Sequence, residues 1–220
     1  MKSDRYEPFP ILIESFFQTV ENYFHFLVSA YNYTESKRLI DYGSEYCVFD
    51  EGKFPKNTWI FMAKKEYSLN KSGFIITYGD RESNIELKYY QNSYNQTFSV
   101  WEIFEANKLN HTAIGGQQFV LNSAFMNETI SLMANELKTN INLIIPVKRS
   151  TINTISRNRV NILKQWKLNQ EQHEIDQAIN KAAISFQNQD FNEVVKILND
   201  YKTKLPYSQK LKLKIAKSKC

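Results

Sequence analysis

The chain has 220 residues, 42% hydrophobic and 14% aromatic, which is enough to bury a core and too apolar for a disordered segment. Its formal charge of +5 is unevenly placed: the last twenty residues carry seven lysines and no acid, leaving 21 basic against 23 acidic residues before them. Most nucleic-acid-binding domains spread a basic excess along a folded face, whereas here the body is nearly neutral and the excess sits at one end.

The opening residues, MKSDRYEPFP, hold acids and prolines where a signal peptide needs a basic and then an apolar stretch. Next comes an amphipathic helix. Ile13, Phe16, Phe17, Val20, Phe24, Leu27, Val28 and Tyr31 recur at three- and four-residue steps, and Pro10 suits the first turn. Glu14, Glu21, Asn22 and His25 interrupt this stretch, so no membrane span is expected. From Tyr46 the pattern alternates. "YCVF" and "TWIFMAKKEY" read as strands, and "SGFIITYGDRESNIELKYY" reads as an antiparallel hairpin. Phe74, Ile76 and Tyr78 on one arm and Ile85, Leu87 and Tyr89 on the other would share the buried face, with Glu86 and Lys88 opposite.

"FSVWEIFEANKL" starts a helix with the Ser99–Glu102 spacing of a capping box. "GGQQFVL" reads as a strand entered through a glycine pair, and "NSAFMNETISLMANELKTN" as a second amphipathic helix bearing Met126, Ile130, Met133, Ala134, Leu137 and Ile141. "LIIPV" reads as an edge strand or a linker, because Pro146 lacks the ladder donor. Beyond residue 150 the signal is helical. Ile152, Ile155, Ile162, Leu163 and Trp166 mark one helix, and Ile175, Ala178, Ile179, Ala182, Ala183 and Phe186 a second. Phe191, Val194, Val195, Leu198 and Tyr201 mark a third, and a short fourth runs from about Tyr207 with Leu211 and Ile215 inward. The expected class is α+β: a mixed body over 1–149 and a helical module over 150–220.

Few residues suggest catalysis. Cys47 and Cys220 have no ligand or disulfide-framework spacing, which points to a reduced, cytoplasmic protein. His25, His111 and His173 form no metal-ligand pattern, and Gly115–Gly116 leads towards a strand, whereas phosphate cradles lead into a helix. No metal, cofactor or catalytic residue is therefore expected, with His111 the one histidine to weigh for acid–base work. Asp80, Glu82 and Glu86 cluster at the hairpin turn, as a carboxylate patch would for docking on a basic surface. "KYYQNSYNQTF" reads as a loop where Tyr89, Tyr90 and Tyr94 alternate with adaptable polar residues, the mixture of binding loops. These six residues are the expected partner-binding surface, and removal of 89–95 is expected to spare the fold.

"INKAAISFQNQDFNEVVKILNDYKTKLP" resembles a tetratricopeptide helical hairpin. Ala182 stands at the small-residue position, Phe186 near the end of the first helix, Asp190–Phe191 at the turn and Pro206 at the close. Gln189 departs from the usual glycine and Val194 from the usual alanine, and only one repeat is covered. More loosely, a mixed body ending in "DF…VV.IL…LPYSQKLKLKIAK" is similar to small bacterial immunity proteins of polymorphic toxin systems, which bind and block one cognate toxin. That resemblance implies a non-catalytic protein-binding protein acting by occlusion. The alternative is a nucleic-acid-binding or regulatory protein using the lysine-rich C-terminal helix.

Overall fold

The computed structural model describes residues 9–41, 46–48, 62–79, 84–115 and 120–220. The chain divides into two compact units, Met1–Ile155 and Ser156–Cys220. The first unit is α+β, as the alternating and helical stretches of the sequence require.

Helix α1, Phe9–Tyr31, buries Ile13, Phe16, Phe17, Val20, Phe24 and Leu27 along one stripe. It stops at Asn32, whose φ of 57° is left-handed, and the Tyr33 amide then donates back to the Leu27 carbonyl. The strands are β1 (Thr34–Glu35), β2 (Leu39–Asp41), β3 (Tyr46–Val48), β4 (Met62–Leu69), β5 (Ser72–Gly79), β6 (Asn84–Gln91) and β7 (Gln96–Ser99). They form one antiparallel sheet in the order β3-β2-β4-β5-β6-β7, with β1 also pairing β4. Between β1 and β2, Ser36 interrupts the ladder without leaving it. Its amide donates to the Glu66 carbonyl at 2.8 Å, and its Oγ accepts from the Glu66 amide at 3.0 Å.

The β5–β6 hairpin has the expected register. Phe74 pairs with Tyr89, Ile76 with Leu87 and Tyr78 with Ile85, and all six side chains are buried. Its turn, 80–83, lies outside the described residues, and so does most of "GGQQFVL". Helix α2, Val100–Ala106, opens with the Ser99–Glu102 capping box; the Ser99 amide donates to Glu102 Oε2 at 3.0 Å. Helix α3, Ser123–Ile144, is capped by Asn122, whose side chain accepts from the Phe125 amide. It lies against α1, and both bury their apolar stripes in a core shared with the inner sheet face. "LIIPV" is no strand: Leu143 and Ile144 finish α3, and Pro146 lies in the link to the next helix.

The two helices expected over 152–166 and 175–186 are one, α4, Arg149–Gln187. The reason is chemical. "KLNQEQHE" between them contains neither Gly nor Pro and consists mostly of good helix formers, so nothing breaks the i→i−4 ladder. What changes between Trp166 and Ile175 is the phase of the apolar residues, which the sequence alone presents as a boundary.

In the second unit, the end of α4, α5 (Phe191–Asn199) and α6 (Tyr207–Lys217) enclose a small core of Ile175, Ala182, Val194, Leu198, Leu205, Leu213 and Ala216. The α4–α5 turn uses Gln189 at φ 61°, the conformation in which glycine is most at ease, followed by Asp190 accepting from the Glu193 amide. Phe186 and Phe191 close it edge to face at 5.6 Å.

Candidate functional site

Period-two geometry sorts the expected docking residues before any chemistry does. On β6, Glu86, Lys88 and Tyr90 point to the outer sheet face, whereas Tyr89 points inward, 1% exposed, with its ring 5.1 Å from that of Phe74. Burial raises the Tyr89 hydroxyl pKa, and a hydrogen bond with Ser72 opposes this. Tyr90 lies across the bare Cα of Gly73, where an added Cβ would stand 2.7 Å from its ring. Burial and a hydrogen bond to the Glu66 carboxylate push the Tyr90 hydroxyl up to about 12. Glu86 is ion-paired with Lys88. Tyr94 sits on the short 3-10 turn Asn92–Tyr94 joining β6 to β7, half-buried against the core. The structure thus brings Glu86 and Tyr90 onto one face and turns Tyr89 away from them. Asp80 and Glu82 lie outside the described residues. The presumed loop 89–95 is the end of β6 and a short turn, so its removal would take Tyr89 from the core and break the β6–β7 pairing.

Two charge networks in the first unit had no local signal in the sequence. Lys65, 3% exposed, donates to Glu21 Oε1 at 2.6 Å and pairs with Glu35 at 2.9 Å. Arg38 grips the same Glu21 with Nε at 2.9 Å and Nη2 at 2.6 Å, and its guanidinium stands over the Phe17 ring. Burial works against the Glu21 charge, but the hydrogen bonds and charges of Arg38 and Lys65 outweigh it and hold the carboxyl below its ordinary value. These groups tie α1 to β1, β2 and β4 and balance in charge, so their role is architectural.

The second network fixes the segment before the glycine pair. Glu136 Oε1 on α3 accepts from the Thr112 amide at 2.7 Å, Thr112 Oγ1 at 2.6 Å and the Ala113 amide at 3.0 Å, while Oε2 accepts from the Ile114 amide at 2.9 Å. Burial again opposes the charge, and these donors overcome it, leaving the Glu136 carboxyl below its ordinary value. Three successive amides that would have suited an anion are therefore already taken. His111 Nε2 lies 2.8 Å from Glu105 Oε1, which supplies the carboxylate neighbour that its sequence context does not reveal. A cleft of about 260 Å³ opens beside this segment, lined by Glu86, Ser99, Trp101, Gly115 and Met133 among others. Among the described residues no group of three or more His, Cys, Asp or Glu could hold a metal ion. No helix among them is long and apolar enough to cross a membrane.

Surface character differs in the second unit. Ser156–Cys220 holds thirteen of the 28 basic and six of the 23 acidic residues, a formal +7. Every residue of α4 from 156 to 170 is exposed, although Ile162, Leu163 and Trp166 continue the apolar spacing of Ile152 and Ile155. Trp166 is 61% exposed, Leu163 59% and Ile162 56%. Arg157, Arg159, Lys164 and Lys167 are interspersed among them, with no acid in the segment. Sequence spacing correctly marked these residues as helical; on α6 it set Leu211 and Ile215 inward, whereas the structure exposes both and buries Leu213 and Ala216 instead.

Compared with known proteins, the chain matches no family model, and neither a curated protein nor a solved structure matches it.

Proposed function

We propose that the protein is a non-catalytic binding protein that blocks a protein partner by occlusion, in the manner of the immunity proteins its C-terminal sequence resembles. The observation that carries this reading is the exposed segment 156–168 of α4. It sets Ile162, Leu163 and Trp166 in solvent among four cations. Exposed apolar groups in such density mark contact surfaces, and tryptophan and arginine are the residues on which interface energy concentrates. Complementarity defines the occupant: a folded protein presenting an apolar cleft rimmed by carboxylates. The helical hairpin of the second unit, read as tetratricopeptide-like, serves to hold that segment. Glu86 and Tyr90 on the outer sheet face are a secondary contact.

The test places a photo-crosslinking phenylalanine at position 166 in the native host, alongside deletion of the gene. The expected result is a covalent adduct with one acidic protein and growth arrest on deletion. Wild type should relieve the arrest, and a Leu163→Ala/Trp166→Ala variant of unchanged melting temperature should not. Adducts with lipid, nucleic acid or a second copy of the chain, or growth unaffected by deletion, would overturn it. The alternative, phosphate binding through the C-terminal lysines, is favoured by the +7 charge of the second unit. It predicts retention on DNA or RNA at low salt, weakening steeply as salt rises.

A further inference from the structure

Where the end of α5 meets α6, the second unit forms a groove of about 380 Å³ lined by Lys202, Thr203, Lys210, Leu213, Lys214 and Lys217. Buried Leu213 forms its floor, widened by the aliphatic stems of the lysines, and the ammonium groups stand around the rim. Helix geometry arranges this: 210, 213, 214 and 217 are three- and four-residue neighbours on one face of α6. Lys217 donates to Asn199 Oδ1 at 3.0 Å, which fixes α6 to the end of α5. Several cations elsewhere have carboxylate partners: Lys65 pairs with Glu21 and Glu35, Lys88 with Glu86, Lys196 with Glu193 and Lys204 with Glu171. Among the described residues, Lys202, Lys210 and Lys214 face no carboxylate partner, and no acid lines the groove.

We infer that this groove seats an acidic peptide segment, with one apolar side chain over Leu213 and flanking carboxylates against Lys202, Lys210 and Lys214. Charge complementarity selects the occupant, and the floor refines the choice. A phosphate backbone would use the ammonium groups and leave the apolar floor idle, whereas a peptide with acids around a leucine uses both. Exposed Tyr207, Leu211 and Ile215 on the same helix extend the apolar surface available to a longer segment. The site draws on none of the α4 residues that carry the occlusion reading, so the two stand or fall separately.

The experiment follows the fluorescence anisotropy of a short fluorescein-labelled peptide, glutamates flanking a central leucine, titrated with the full chain. Binding at low salt that weakens as salt rises is expected, with loss of about tenfold or more in affinity in Lys210→Glu/Lys214→Glu. Replacing the central leucine by serine should also weaken binding, which charge alone would not do. Both lysines are exposed, so an unchanged circular dichroism spectrum and melting temperature establish that the variant folds. Leu163→Ala/Trp166→Ala should bind the peptide as wild type does. Equal binding of a lysine–leucine peptide, indifference to the double reversal or to the leucine, or tighter binding of a single-stranded oligonucleotide lost in the same variant would each overturn the proposal.

Discussion

Glu21→Gln keeps the shape of the side chain and removes its charge from the network under α1. In wild type the carboxylate accepts three charge-assisted hydrogen bonds, two from Arg38 at 2.9 and 2.6 Å and one from Lys65 at 2.6 Å. Lys65 is the vulnerable partner, since its side chain is only 4% exposed and would keep Glu35 alone. Breaking a wholly buried pair costs about 3–5 kcal/mol; the Glu21 side chain is 28% exposed, so solvent screening reduces this to about 2 kcal/mol. The pH dependence has a definite sign. A carboxyl held below its ordinary 4.5 in the folded state stabilises the fold above that value, and this contribution is lost as pH falls through the folded pKa. Wild type and variant should therefore differ at neutral pH and converge in acid.

The assay is urea unfolding in a Trp166→Phe background, which leaves Trp101 on α2 of the first unit as a reporter along with Trp59. A neutral-pH offset below about 0.5 kcal/mol, the scatter of ordinary surface substitutions, would show that the network contributes no stability. An equal offset at acid and neutral pH would place the loss in packing and refute the electrostatic account.

Gly73→Ala should destabilise by about 1–3 kcal/mol, because the new Cβ would sit 2.4 Å from the Tyr67 carbonyl oxygen as well as against the Tyr90 ring. Adding Tyr90→Ser should not restore stability, since the backbone oxygen stays; full recovery in urea unfolding would contradict this. Glu136→Gln should cost about 1–2 kcal/mol and speed hydrogen exchange at the Thr112, Ala113 and Ile114 amides that the carboxylate holds. Its stability difference, like that of Glu21, should shrink on acidification, and unchanged exchange would remove the latch from the account.

Local pattern carried most of the fold. The hairpin register of Phe74 with Tyr89 follows from alternation alone, and the capping box at Ser99 and the stripe of α1 follow from spacing. The same alternation that put Tyr89 on the inner face already disqualified it as a docking residue. Composition drew it into the tyrosine-rich loop, although the period was the better guide. Lys65 with Glu21 and Glu136 with Thr112 could not be read locally, because 44 and 24 residues separate the partners and no periodicity encodes such a pair. The division of α4 failed for a different reason. A change of apolar phase looks like a helix boundary, yet with neither Gly nor Pro and mostly good helix formers in between, the backbone ladder runs on while the buried face changes.

The unbroken course of α4 bears on how the proposed partner would be held. A helix of fifteen residues is marginal in water by itself, so 156–170 depends on its neighbours in α4: Ile152 and Ile155 are buried before it, Ile175, Ala178 and Ala182 after it. The segment is thereby ordered before any partner arrives, and binding need not pay for folding it. Burying Ile162, Leu163 and Trp166 would release roughly 1.5–3 kcal/mol each. Association costs would consume much of that sum, so in the proposed complex the affinity would rest on the tryptophan and its immediate neighbours. The four cations would act at longer range and chiefly on encounter. Trp166→Ala should therefore accelerate dissociation with little change in association, whereas Lys164→Gln/Lys167→Gln should slow association and flatten its salt dependence. A tryptophan variant that altered only association would place Trp166 outside the contact and return the interface to the sheet face of Glu86 and Tyr90.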